Sequence, residues 1–194
     1  MERFLFVYSW LSALTEGRFF RGGFSGLLRL SAIVLTIYLI GDAIETWGKL
    51  LSTDENGESG GILLPILVQL ILFIAGYTMI HLMLLRAAEI RSLYDPRYAL
   101  SEIITVIARL MGELTFVVTI TITIITSLHK LGLQSGIMLP ELQQILSPIL
   151  EQSSFAWIIG TGALLSFALL VSGYLASELL EMVMRLSRNS ERRL

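Results

Sequence analysis

The sequence predicts an all-α integral membrane protein, a bundle of four transmembrane helices with additional amphipathic helices lying at the membrane interface. Three observations predict it. Hydrophobic residues make up 54% of the 194-residue chain and charged residues only 15%, with a mean hydropathy of +0.73, whereas soluble domains carry about a quarter charged residues. The apolar residues are gathered into runs long enough to cross a bilayer, about 20 residues each at 1.5 Å rise. The basic residues sit almost entirely on alternate sides of those runs.

Composition also excludes several functions. A net charge of −2 and the lack of a basic tract argue against a nucleic-acid partner. Without cysteine the chain has no disulfide, thiolate nucleophile or cysteine metal ligand. Two histidines leave little for catalytic or metal constellations, and no phosphate loop or nucleophile–base spacing occurs. No catalytic residue, cofactor or metal is expected, and the protein reads as a non-enzyme.

The elements follow in order. Residues 1–23 begin with MERFLFVYSWLSALTEG, which lacks a small-residue cleavage site and reads as an N-terminal interfacial helix, with Glu2, Ser9, Ser12 and Glu16 near one face. The first transmembrane hairpin, 24–93, holds spans at Leu27 to Trp47 and Ile62 to Leu85. The second, 94–185, holds spans at Ile103 to Leu128 and Ser153 to Ser177, with an external amphipathic helix at about 139–152 carrying Leu142, Ile145, Leu146 and Ile149. A cytoplasmic arginine-rich tail, 186–194, closes the chain.

Twelve arginines fall before or near the start of span one, near the loop between spans two and three, or after span four; only Lys49 and Lys130 fall on the other side. The positive-inside rule then places both termini in the cytoplasm. The expected location is the bacterial inner membrane.

TFVVTITITIITS (115–127) alternates like a β-strand, but a lone strand in lipid leaves its backbone groups unpaired at several kcal/mol each. Wound as a helix, it places Ser101, Thr105, Ala108, Gly112, Thr115, Thr119, Thr123 and Thr126 within an arc of about 80°. This small and hydroxylic face suits close packing against the Gly162/Ser166 and Gly173/Ser177 pairs of span four. The alternative is the wall of an oligomeric ion channel lined by Thr115, Thr119, Thr123 and Thr126.

The two halves resemble each other. AGYTMIHLMLLRAAEIRS (75–92) lies over SGYLASELLEMVMRLSRN (172–189), matching Gly76-Tyr77 to Gly173-Tyr174, His81 to Glu178 and Arg91 to Arg188, and Arg29 falls over Arg109. This predicts a tandem duplicated hairpin. The first half, with GRFFRGGFSGLLRL, Gly60-Gly61 before span two and HLMLLRAAEIRSL after it, also resembles an uncharacterised bacterial family of two-helix membrane domains. The resemblance covers about residues 18–93. It implies a bacterial membrane hairpin and carries no assigned activity.

Two constellations remain. His81, Arg109, Glu113 and Glu178 are ionisable residues within spans, expected to share one depth as an intramembrane polar cluster, with Glu113 pairing with Arg109. Arg91, Tyr94, Arg97 and Tyr98 form the tip between spans two and three, and these are residue types enriched at binding hot spots. The leading expectation is therefore a multi-pass membrane subunit, embedded in the lipid bilayer, that assembles as a homo-oligomer or with other membrane chains and docks a cytoplasmic protein partner. The alternatives are the ion channel and a membrane-state sensor that signals to a cytosolic effector.

Overall fold

The computed structural model describes residues 18–52, 63–93, 99–130 and 154–191. Four helices occupy them: α1 (Arg18–Ser52), α2 (Leu63–Ser92), α3 (Ala99–Lys130) and α4 (Phe155–Glu191). There is no strand among the described residues. TFVVTITITIITS lies within α3, as the backbone argument requires. Each helix is long and apolar enough to cross a membrane, over Phe19–Gly48, Pro65–Ser92, Leu100–Leu128 and Phe155–Ser187.

The first helix starts at Arg18, so residues 18–23 continue the first span rather than belonging to a separate interfacial helix. The rest of that expected helix, the external helix at about 139–152 and the tip residues Tyr94, Arg97 and Tyr98 lie outside the described residues.

Two compact units divide the chain, and their boundary does not follow the two hairpins. Every helix contributes a segment to each. The first unit comprises the described parts of Met1–Ile33, Ile80–Leu114 and Leu170–Leu194; the second comprises those of Val34–Met79 and Thr115–Leu169.

In the first unit Ile90, Ile103 and Val106 form a buried core against which Phe20, Phe24, Leu28, Leu93 and Ile107 pack. Arg21 donates to the Leu93 carbonyl and Ser25 Oγ to the Ala87 carbonyl at 2.8 Å, tying the start of α1 to the end of α2. Carbonyls near a helix C-terminus have no partner in their own helix, so a guanidinium there satisfies one of them. Backbones of α3 and α4 meet directly: a Cβ on Gly173 would lie 2.6 Å from the Gly112 Cα, and one on Gly112 2.9 Å from the Gly173 Cα. In lipid, where apolar burial drives little association, such close approach is what holds helices together.

In the second unit Gly76 faces Leu39 and Gly162 faces Thr123. The buried residues are mostly small or hydroxylic: Ala43, Thr46, Ala75, Thr121, Thr123, Thr126, Ser127 and Ser166, with Val68, Gln69, Val117 and Ile158. Its charges among the described residues are Asp42, Glu45, Lys49 and Lys130. Enclosure differs by helix: 39% of the most apolar window of α3 is buried, against 22% for α2 and 11% for α1 and α4. The helix with the threonine face is the one most surrounded by protein.

Both glycines of the repeated Gly-Tyr pair pack on the preceding helix, Gly76 on α1 and Gly173 on α3. The paired arginines differ: Arg29 is exposed, whereas Arg109 is drawn into an ionic network.

Candidate functional site

The site is built within the first unit from the C-terminal halves of α2 and α4 and the N-terminal half of α3. Its innermost part is Glu113. Arg86 of α2 grips this carboxylate with two parallel bonds, Nε to Oε2 at 3.1 Å and Nη2 to Oε1, while Tyr174 of α4 donates its hydroxyl to Oε1 at 2.7 Å. The fork-to-fork geometry of guanidinium and carboxylate makes such pairs strong and directional. Both side chains are nearly enclosed, 11% exposed for Arg86 and 10% for Glu113. A third bond from Arg86 reaches Glu89 one turn along α2.

Glu89 links this inner triad to an outer, looser one. Arg109 Nε donates to Ser177 Oγ at 2.6 Å, and Ser177 is fully buried. The remaining nitrogens of Arg109 stand 3.8 Å from Glu89 and 3.6 Å from Glu181. Those separations exceed the 2.7–2.9 Å typical of a charge-assisted hydrogen bond. Glu181 is also held by Arg185 at 3.0 Å across one turn of α4.

A cleft of about 470 Å³ opens beside this outer tier, lined by Glu89, Ser92, Leu93, Glu102, Thr105, Val106, Arg109, Glu181, Met184 and Arg185. Among the described residues no three histidines or carboxylates converge to hold a metal ion.

Of the four residues expected in the polar cluster, the structure brings Arg109 and Glu113 into one network and leaves His81 and Glu178 on exposed faces. They also stand apart along their helices: Glu178 follows Ser177, which is bonded to Arg109, while His81 precedes Arg86 by five residues. Glu113 takes Arg86 as its ionic partner in place of the expected Arg109, because Arg86 reaches both carboxylate oxygens from the facing helix while Arg109 is bonded to Ser177. Arg91 is exposed in the last turn of α2.

Sequence reasoning did not assign Arg86, Glu89, Tyr174, Ser177 or Glu181 to the site. Their signal was present as spacing: Tyr174, Ser177, Glu181 and Arg185 recur at intervals of three and four and so share one face of α4.

The small face of α3 is a packing surface in this structure. Gly112 meets Gly173 and Thr123 meets Gly162. Two of its hydroxyls bond their own helix: Thr105 to Ser101 O at 3.0 Å and Thr123 to Thr119 O at 2.8 Å. Thr119 and Thr115 are partly buried, and Thr126 is 2% exposed. Thr121, which points away from that face, is buried too and bonds Val117 O at 2.7 Å.

The fold and site define an all-α chain with four membrane-spanning helices and a polar end. Compared with protein-family models, with curated proteins and with solved structures, the chain matches none of them. The two-helix resemblance of residues 18–93 therefore rests on its motifs alone.

Proposed function

We propose that this protein is a non-enzymatic, multi-pass membrane subunit of the bacterial inner membrane that docks a cytoplasmic protein through its arginine-rich end. One observation carries the reading: that end is a built unit, with its own core of Ile90, Ile103 and Val106 and a cross-linked ionic network. Helix ends that merely anchor a span in headgroups need neither. A rigid platform with exposed arginines is what a docking surface requires, since immobilised side chains lose less entropy on binding. Arg91 is exposed and Arg185 is 74% exposed on it. With twelve of fourteen basic residues on this side, the positive-inside rule gives the platform to the cytoplasm.

The channel reading has less behind it, because the face that would line a pore carries α4 at Gly112 and Thr123.

The test is affinity purification of the Arg91→Glu, Arg185→Glu double variant in mild detergent. The expected result is loss of the co-purifying cytoplasmic protein while membrane insertion stays at wild-type values and stability falls by no more than about 1 kcal/mol, the scale of turning one exposed i,i+4 ion pair into a like-charge pair. Undiminished recovery of the partner would remove the reading.

A further inference from the structure

Two charged side chains of the first unit stand in apolar surroundings on outward faces. Arg29 of α1 lies among Leu27, Leu28 and Leu30, and Glu178 of α4 among Leu175, Leu179 and Leu180. Both are exposed within stretches long and apolar enough to cross a membrane, and neither makes a hydrogen bond or ion pair among the described residues. Charged residues in such stretches are costly in lipid and nearly always find a partner. Their helices are also the two least enclosed, with 11% of the most apolar window of each buried.

The faces around the two charges match. Gly22, Gly26, Arg29 and Ile33 follow one another at four, three and four residues, and so do Val171, Leu175, Glu178 and Met182. That spacing sets each group along one helix face and is the seam spacing of helices packed side by side. All eight residues are exposed. Nothing lies within 4 Å of a Cβ added to Gly22 or Gly26, so another helix can approach α1 closely there.

The levels agree as well. Ser25 bonds the Ala87 carbonyl, and the adjacent Arg86 shares Glu113 with Tyr174, so Ser25 and Tyr174 stand at about one level. The first unit takes the start of α1 and the end of α4, so the two helices run in opposite directions. Arg29 lies four residues beyond Ser25, and Glu178 four beyond Tyr174. Their Cα atoms are therefore about 12 Å apart along the helix axes, at 1.5 Å per residue. Helix side chains lean toward their own N-terminus, which on antiparallel helices turns these two long side chains toward each other.

We propose that α1 of one copy packs against α4 of a second copy of this chain, with Arg29 of the first paired to Glu178 of the second. A bilayer holds all copies in one orientation, so a level shared within one copy is shared between copies. Both halves of the ion pair are on this chain, which is why the occupant is a second copy. The proposal goes beyond the docking reading, and no cytoplasmic protein enters its test.

The experiment is native mass spectrometry of the full chain released from mild detergent. The expected result is an assembly of two or more copies for the wild type and a single copy for Arg29→Glu and for Glu178→Arg. Placing both substitutions in one chain should bring the assembly back. Helix content, read by circular dichroism, should stay at the wild-type value throughout. A wild-type chain found as a single copy overturns the proposal, as does an assembly that survives either single substitution. A double variant that stays a single copy overturns it too. Loss of helix content in either single variant would mean that the side chain is used within its own copy, which also overturns it.

Discussion

Glu113 is the residue on which the polar end turns, because it binds α2 through Arg86 and α4 through Tyr174 while standing on α3. Removing one partner of an enclosed ion pair strands the other, which costs about 3–5 kcal/mol, whereas replacing both with apolar residues of similar volume can be neutral. Glu113→Ala should therefore lower stability in detergent by about 3 kcal/mol, and the Arg86→Met, Glu113→Leu double variant should recover most of the loss. Equilibrium unfolding of the four species of that double-mutant cycle is the check, and strictly additive losses would show that the pair is not coupled. Elsewhere, Thr126 Oγ1 and Gln69 Nε2 are buried with no hydrogen-bond partner. A buried polar group left unpaired costs about 1–3 kcal/mol, so Thr126→Val should raise the unfolding temperature. A fall instead would mean that the hydroxyl has a partner in the native membrane.

At the scale of elements, α3 is the helix most enclosed by protein, and its glycine and threonine face explains how. Gly112 sits against Gly173 with no room for a methyl group, and forcing extra carbon into a packed contact costs about 1–3 kcal/mol. Gly112→Ala should lower stability in that range, measured by thermal unfolding. Gly160→Ala should be neutral or slightly stabilising, because nothing lies within 4 Å of a Cβ there and alanine is the better helix former. Equal effects at both positions would contradict the α3–α4 contact. The helices were legible in the sequence because a bilayer imposes a length on each apolar run, and the strand-like alternation of 115–127 could be set aside on backbone hydrogen bonding alone. The ends were harder to read. Residues 18–23, given to an interfacial helix in the sequence reading, lie in the same helix as the first span. The site was half legible. Arg109 and Glu113 declare themselves by being charged inside a span, but the choice of Arg86 over Arg109 as the ion partner depends on which helix faces which. No one-dimensional spacing records that.

For the whole molecule, the absence of cysteine in the sequence makes topology directly measurable. On the proposed topology, single cysteines at Arg91 and at Lys130 label from opposite sides of the membrane, Arg91 from the cytoplasm, and labelling of both from one side would contradict it. Two compact units are drawn from the same four helices, and the ionic network lies in the first of them; the proposed account gives that unit the partner. The most direct test of that account is the mass of the complex extracted from its native membrane in mild detergent, with every component identified. The account predicts this chain together with a stoichiometric cytoplasmic protein. A homo-oligomer with no other chain, conducting ions in a planar bilayer, would contradict it.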